Sequence, residues 1–204
     1  MNKIIDINKS ISEKGLEDAG LSVENIVATL DLGQELDLLN LSNYLDECEY
    51  EPEITPFLIY RPSAFKGTVL IPTNGMASFV GCKSKDDLIQ LADHLISRLS
   101  EIAPEDLPPP FELEIQNIVI QGELGTELEL TEIAILFGME NTEYEPEQFP
   151  GVIYRPSEGR TVLLFSSGKF MVNGAKSYSQ ALATVENLVK HLHDSGVPID
   201  TELN

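Results

Sequence analysis

The chain has 204 residues, 42% of them hydrophobic, which is enough for one large domain or two small ones with a buried core. Its net charge is −21, and its two cysteines, Cys48 and Cys82, have neither the number expected of a disulfide framework nor the spacing of a metal site. No apolar run approaches the roughly 18 residues that span a bilayer. Because the N-terminus also lacks the apolar centre of a signal peptide, we expect a cytoplasmic protein with no membrane partner.

The charge is distributed unevenly along the chain. Lys and Arg are absent from residues 15–60 and again from residues 99–154, so all 13 positive charges lie outside these two stretches. Each half therefore begins acidic and becomes mixed after an "IYRP" motif. A uniformly acidic shell would indicate solubility or a salty cytoplasm, whereas this segregation predicts two surfaces with different partners.

The sequence contains a long tandem repeat. "EYEPEITPFLIYRPS" at 49–63 returns as "EYEPEQFPGVIYRPS" at 143–157, and two further motif pairs, beginning at Glu24 and Gln116 and at Thr68 and Thr161, recur at nearly the same offset. A repeat of this length is a domain-sized unit, so two copies predict a pseudo-twofold molecule. We expect an N-terminal extension at 1–22, repeat 1 at 23–103, a proline-rich linker at 104–112, repeat 2 at 113–197 and an acidic tail at 198–204.

The same elements are predicted in the same order in both repeats. An apolar strand (26–32 and 118–124) is followed by an acidic, leucine-rich helix, which a "YEP" motif ends because proline cannot continue it. About four strands and tight turns come next, and then a long amphipathic helix. Its predicted N-caps are Ser84 and Ser177, and Gly196 is its predicted stop in the second repeat. Such connections favour an α+β fold, with an antiparallel sheet covered by helices on one face.

The motifs "NIVATLDLG", "IQNIVI", "YEPEQFPGVIYR" and "TVLLFSSGKFMVNGAKS" resemble the TATA-box-binding protein family, especially its archaeal members. The resemblance extends from about Val23 to Gly196, in order and duplicated. It implies two pseudo-symmetric repeats that form a ten-stranded antiparallel, saddle-shaped sheet with four helices on the convex face. It also implies a general transcription initiation factor that binds the minor groove of A·T-rich promoter DNA and recruits archaeal transcription factor B. A homodimer that hides the apolar concave face is a further possibility when DNA is absent.

The resemblance also assigns roles to single residues on the concave face. In the family, asparagine and valine pairs in the first strands touch bases, and a pair of phenylalanines wedges into one end of the site. The matching positions are Asn25, Val27, Asn117, Val119, Phe149 and Phe165, with Leu163 on the same face as Phe165. The alternatives are that each asparagine only satisfies neighbouring backbone and that the phenylalanines are ordinary core residues.

Charged residues flank these positions. Candidates for phosphate contacts are Arg61, Arg155, Arg160 and Lys169, with Lys66 as a counterpart in the first half, and the alternative for each is an ion pair with a carboxylate. Glu145 and Glu147 match the acidic loop through which the family meets transcription factor B. Glu51 and Glu53 are the equivalent residues of the first repeat, so glutamates at these positions do not by themselves indicate that role.

The first repeat departs from the family pattern. Thr55 and Pro72 stand where the second repeat has Phe149 and Phe165, and Phe57 is the one candidate for a replacement ring. Bending DNA costs about 1–6 kcal/mol, and DNA repels a chain of this charge at low salt. We therefore expect weakened or asymmetric DNA binding. The alternative is a divergent paralogue that acts as a protein-interaction module, with DNA binding largely lost.

An enzyme is the third class considered. The sequence has no nucleotide-binding glycine loop, no metal cluster and no Ser/His/Asp signature. We therefore expect no catalytic activity and no cofactor.

Overall fold

The computed structural model describes residues 4–6, 13–102, 111–156 and 159–199. The chain divides into two compact units: unit 1 is residues 1–9 and 25–116, and unit 2 is residues 10–24 and 117–204. Each predicted repeat thus supplies most of one unit. The boundaries fall within the first strands of the two repeats, since residues 22–24 of one strand belong to unit 2 and residues 111–116 of the other belong to unit 1, which the repeat pattern did not predict.

Unit 1 contains a five-stranded antiparallel sheet and two helices. The chain begins with β1 (Ile4–Asp6), which belongs to unit 1, and α1 (Glu13–Asp18), which belongs to unit 2. It then forms β2 (Ser22–Asp31), α2 (Leu38–Tyr44), β3 (Cys48–Glu49), β4 (Phe57–Tyr60), β5 (Thr68–Pro72), β6 (Met76–Cys82) and α3 (Lys85–Ile102). The strand order is β3-β4-β5-β6-β2. Only the part of β2 from Asn25 onward belongs to this unit.

Unit 2 repeats the same topology. Its elements are β7 (Phe111–Glu123), α4 (Leu130–Leu136), β8 (Thr142–Glu143), β9 (Gly151–Tyr154), β10 (Thr161–Phe165), β11 (Lys169–Ala175) and α5 (Tyr178–Asp194). The strand order is β8-β9-β10-β11-β7, with antiparallel neighbours. The first six residues of β7 belong to unit 1, where β1 pairs with them in parallel.

In both sheets one face is covered by helices and the other is open. Val69 and Ile71 in β5, like Val162 and Leu164 in β10, are fully buried, while the residues between them are half-buried. This alternation follows from the period of two in a strand. The long helices supply the cover, with Leu88, Leu91 and Leu95 of α3 on one buried stripe. The amphipathic pattern therefore places a hydrophobic core on one side of each sheet only.

The predicted helix ends are confirmed. The hydroxyl of Ser84 accepts a hydrogen bond from the Asp87 N–H at 2.9 Å, and that of Ser177 accepts one from the Gln180 N–H at 3.2 Å. Gly196 has φ +80° and its N–H donates to the His193 carbonyl, which ends α5 two residues after Asp194. The first helices, α2 and α4, are shorter than the acidic segments that predicted them, at 7 residues each.

The α+β class with two repeats is confirmed, and the structure adds elements to it. Among the described residues, α1 and β1 are a fifth helix and a parallel strand, both within the predicted extension 1–22. Strand β7 begins at Phe111, inside the predicted linker 104–112. Residue 103 of predicted repeat 1, residues 104–110 of that linker and residues 200–204 of the predicted tail lie outside the described part of the chain. Across the described residues, every helix is too short or too polar to cross a membrane.

Helix α1 is built into unit 2. Leu16 is fully buried, and its carbonyl accepts from the Leu21 N–H at 2.9 Å. A Cβ added at Gly122 would lie 2.7 Å from Leu21 Cδ2 and 2.5 Å from Phe170 Cζ. Leu21 therefore occupies the space that a side chain at 122 would need. The segment before the first strand is thus part of the unit 2 core.

Leu16→Ala should accordingly lower the stability of the chain. Removing a fully buried leucine side chain costs about 2–5 kcal/mol, which a urea titration monitored by circular dichroism would measure. Leu39→Ala is the matched control, because Leu39 is 66% exposed. Equal unfolding midpoints for the two variants would show that α1 does not pack as described.

Candidate nucleic-acid interface

The uncovered side of each sheet, called here the open face, carries side chains that alternate with the buried core residues. On unit 1 it consists of Asn25, Val27, Thr29, Asp31, Glu49, Phe57, Ile59, Thr68, Leu70, Pro72, Met76, Ser78 and Val80. On unit 2 it consists of Asn117, Val119, Gln121, Glu123, Glu143, Phe149, Ile153, Thr161, Leu163, Phe165, Lys169, Met171 and Asn173. The charged side chains in these two sets are Asp31, Glu49, Glu123, Glu143 and Lys169, and they lie at strand ends or in the two-residue edge strands. A sparsely charged, largely apolar surface suits the sugar edges and few acceptors of a minor groove.

Two phenylalanine rings stand together on the open face of unit 2. The centroids of Phe149 and Phe165 lie 5.8 Å apart, with their planes tilted by 60°. Both side chains are half-buried rather than enclosed beneath the helices. Leu163 lies two residues before Phe165 on the same face, opposite Ile153 and Met171. The structure thus brings together the three residues that the sequence placed at this end.

Unit 1 has a different arrangement at the equivalent end. Phe57 is on the open face, half-buried, and lies opposite Pro72 in the register of β4 and β5. Thr55 donates its hydroxyl hydrogen to the Phe57 carbonyl at 3.1 Å. One ring therefore takes the place of two.

The two asparagines occupy matching positions and make matching hydrogen bonds. The side-chain oxygen of Asn25 accepts from the Gly81 N–H, and that of Asn117 accepts from the Gly174 N–H, both at 2.8 Å. Since a backbone N–H can only donate, the amide oxygen faces the glycine and the NH2 is the group that can donate elsewhere. The alternative that each asparagine satisfies neighbouring backbone is thus correct for the side-chain oxygen. The NH2 group can still donate hydrogen bonds to acceptors on adenine and thymine. Val27 and Val119 follow on the same face, half-buried.

The arginines at the edges of the sheets form ion pairs. Arg61 Nη1 lies 3.3 Å from Glu49 Oε2, and Arg155 Nη2 lies 3.0 Å from Glu143 Oε2. The ion-pair alternative therefore describes both residues in this structure. These pairs are more than half exposed, and such pairs contribute little, so a phosphate could take the place of either carboxylate at small cost.

The remaining candidate cations lie around β10 and β11. Lys169 is exposed at the start of β11, opposite Glu123 in the register, and Arg160 is half-buried just before β10. In unit 1, Lys66 lies 3.7 Å from Asp87, and Met76 occupies the place of Lys169. Unit 2 thus has a cation, Lys169, at the end of β10 that carries Phe165, where unit 1 has Met76.

Glu145 and Glu147 lie in an exposed turn between β8 and β9. The N–H groups of Gln148 and Phe149 both donate to the Glu145 carbonyl at 2.9 Å, and the Gln148 side chain donates to the Glu145 carboxylate. The turn in unit 1 has the same backbone bonds, from Ile54 at 2.9 Å and Thr55 at 3.0 Å to the Glu51 carbonyl. Both turns therefore present an acidic surface, but only the turn of unit 2 leads into a phenylalanine.

Three glycines of the site were not singled out from the sequence. Gly81 and Gly174, with φ +84° and +96°, lie where β6 and β11 shift register, and their N–H groups meet the two asparagines. Both glycines occupy the same place in the repeated motifs "VGCKS" and "NGAKS", and this repetition could have identified them from the sequence. Gly151 lies beneath the two rings, and the signal there was its replacement by Phe57 in the first repeat.

The family model described as "Transcription factor TFIID (or TATA-binding protein, TBP)" matches residues 20–102 and 112–195, the two repeats just described. The chain belongs to the TATA-binding protein family. It is 41% identical to TATA-box-binding protein 1 of Haloferax volcanii over 179 residues, covering 87% of this chain and 94% of the relative. It is 37% identical to the TATA-box-binding protein of Archaeoglobus fulgidus over 183 residues, covering 89% of this chain and 100% of the relative. The solved structure of Methanococcus jannaschii TBP matches with a TM-score of 0.76 and 34% identity, covering 85% of this chain and 98% of that one.

Membership of the TATA-binding protein family, a family of transcription factors, confirms that the chain is not an enzyme. Within the described residues no group of three His, Cys, Asp or Glu side chains is placed to hold a metal. The two cysteines are free, and burial raises the pKa of the Cys82 thiol to about 11, which makes it an unreactive core residue.

Proposed function

We propose that the chain is a general transcription initiation factor that binds the minor groove of A·T-rich promoter DNA and recruits archaeal transcription factor B. The observation that carries this proposal is the Phe149–Phe165 ring pair on the open face of unit 2. Half-exposed aromatic rings on an uncovered sheet are costly unless they have a partner. A pair of rings can enter a base step and replace the stacking that is lost when DNA kinks.

The other open-face residues have complementary roles in this proposal. Asn25 and Asn117 donate from their NH2 groups to minor-groove acceptors, while Val27 and Val119 contact sugars and base edges. Arg155, Arg160 and Lys169, together with Arg61, hold phosphates and add affinity without sequence preference. Leu163 fills the apolar surface beside the rings, and Phe57 supplies apolar contact surface in unit 1.

Electrostatics makes this binding weak at low salt. The net charge of −21 repels DNA, and Arg61 and Arg155 must exchange carboxylates for phosphates before they contribute. Raising the salt concentration screens the repulsion. With few cations to release counterions, the usual loss of affinity with salt is small. We therefore expect an affinity for A·T-rich duplex that holds or increases with salt.

Recruitment of transcription factor B is assigned to the exposed turn of Glu145 and Glu147. Two carboxylates on a hydrogen-bonded turn provide a rigid acidic surface for basic side chains of a partner. The corresponding residues of unit 1, Glu51 and Glu53, provide a matched control because their turn has the same backbone hydrogen bonds.

A fluorescence anisotropy titration tests both parts of the proposal. A duplex with a TATA sequence and a G·C-rich duplex of equal length are titrated from low to molar salt, with and without transcription factor B. We expect preference for the TATA duplex, and we expect Glu145→Lys/Glu147→Lys to abolish the gain from the added factor while Glu51→Lys/Glu53→Lys leaves it. Failure to bind the TATA duplex at any salt or factor concentration would remove the DNA role.

One observation favours the second candidate, a regulatory protein-interaction module. Unit 1 has Thr55 and Pro72 in place of the two phenylalanines, yet its turn keeps the two glutamates and the same backbone hydrogen bonds. If partner binding were the retained function, replacing Phe149 and Phe165 would leave every activity unchanged.

A further inference from the structure

We infer that a single register position, occupied by Gly151 in unit 2 and Phe57 in unit 1, decides whether a unit can hold a two-ring wedge. The consequence is that the chain kinks DNA at one base step only, the step that unit 2 contacts. This inference rests on the proposed function and specifies how the two units differ in it.

The two rings of unit 2 pack against Gly151, and the space beside this register position is called here the seat. Gly151 is buried, and it lies opposite Phe165 in the pairing of β9 with β10. A Cβ at this position would be 2.9 Å from Phe149 Cε1, 3.2 Å from Phe165 Cδ1 and 2.8 Å from the Leu164 carbonyl oxygen. Gly151 is not among the glycines with positive φ, so space rather than backbone conformation requires glycine here. A side chain here would therefore displace the ring of Phe149 or the backbone of β10, and with either the packing of the ring pair.

Phe57 fills the same seat in unit 1. It pairs with Pro72 as Gly151 pairs with Phe165, so the two positions correspond in register as well as in the repeat. The Phe57 side chain takes up space that a glycine at 57 would leave for phenylalanine rings introduced at positions 55 and 72. Restoring phenylalanine at 55 and 72 would not by itself rebuild a wedge, because the seat is occupied.

One kink instead of two changes which DNA the chain selects. A pyrimidine–purine step such as TA unstacks easily, whereas a step within an A-tract resists kinking. A protein with a wedge in each unit requires a flexible step at both ends of its site. This chain should need it at one end only, with unit 1 lying on unkinked duplex.

The seat can be tested without DNA. In Gly151→Ala, we expect nuclear Overhauser contacts between the rings of Phe149 and Phe165 to weaken or disappear. Ser78→Ala, a small change on the open face of unit 1, should leave them at wild-type intensity. Unchanged contacts in Gly151→Ala would overturn the seat.

The single kink is tested with two duplexes that differ in the number of flexible steps. One has a TA step at each end of the site, and the other has a TA step at one end and an A-tract step at the other. We expect the affinities of wild type for the two duplexes to differ by no more than about twofold. A chain with one wedge can use the two-step duplex in two orientations and the one-step duplex in one, which accounts for that factor. The triple variant Thr55→Phe/Phe57→Gly/Pro72→Phe should prefer the two-step duplex by about tenfold, since unstacking a stiff step costs more.

The double variant Thr55→Phe/Pro72→Phe is the matched control. With Phe57 still in the seat, it should behave like wild type on both duplexes. A tenfold preference for the two-step duplex by wild type, or by the double variant, would overturn the inference. If the chain bound neither duplex, the proposed function and the single kink would both be contradicted. The ring contacts in Gly151→Ala would still test whether Gly151 is required for the ring pair.

Discussion

Replacing Phe149 and Phe165 together with alanine should lower the affinity for a TATA duplex by about a hundredfold, since stacking contributes about 1–3 kcal/mol per ring and 1.4 kcal/mol is tenfold. The rings are the only aromatic pair on the described part of the open faces, and they stand 5.8 Å apart. Without them the kinked step regains no stacking, so the bend should also decrease. Anisotropy measures the affinity, and energy transfer between the ends of a labelled duplex measures the bend.

The stability of this double variant should remain close to wild type. Both rings are half-buried, so truncation removes less packing than in a core phenylalanine, for which alanine costs about 3–5 kcal/mol. Phe170→Ala is the contrasting variant, because Phe170 is 2% exposed and packs beneath the sheet. It should unfold at a lower temperature.

Phe57→Ala is the control in unit 1, where we expect less than a tenfold loss of affinity. If the double variant at 149 and 165 bound DNA like wild type, the wedge would be excluded and the protein-interaction reading would be favoured.

Much of the fold could be predicted because local and repeated signals agree. The period of two in "TVLI" and "TVLLF" determined which residues are buried, and the capping serines determined where the long helices begin. Each signal occurs twice, so an ambiguous segment in one repeat is resolved by its copy. These signals are short in range, which is why they can be read from sequence.

The strand boundaries were missed for a physical reason. In β2, Val23 and Ile26 are both buried while Glu24 and Asn25 between them are half-buried, so the alternation changes phase. Strand β7 changes phase at the same place, between Ile115 and Ile118. The apolar runs that predicted these strands begin only after this change, at Ile26 and Ile118, so the predicted starts are four and seven residues late.

Other parts of the site depend on contacts that sequence alone does not contain. The packing of Leu21 beside Gly122 and Phe170 brings together residues that lie 101 and 149 positions apart in the chain. The pairing of Arg61 and Arg155 with glutamates depends on the register of β3 with β4 and of β8 with β9. Charge counting predicted cations at these edges but could not tell a carboxylate partner from a phosphate.

Asn117→Asp should weaken binding to a TATA duplex by more than about tenfold while leaving the fold unchanged, since a good base contact contributes about 1–3 kcal/mol. Aspartate is isosteric, and its carboxylate can still accept from the Gly174 N–H that Asn117 binds at 2.8 Å. What it removes is the NH2 donor, and what it adds is a negative charge facing the groove. Thermal unfolding would confirm that stability is retained, and anisotropy would report the loss of affinity.

Two further variants separate these effects. Asn173→Asp adds the same charge to the same open face of unit 2 at an exposed position, so it measures repulsion alone, and the further loss in Asn117→Asp measures the donor. Asn117→Val leaves the Gly174 N–H without its side-chain partner, and it should lose about 1 kcal/mol of stability together with the base contact. Equal losses of affinity in Asn117→Asp and Asn173→Asp would mean that the amide hydrogens contribute nothing to DNA binding. Asn117 would then serve only to hold the bulge at Gly174, and the same conclusion would extend to Asn25, which binds Gly81 at the same distance.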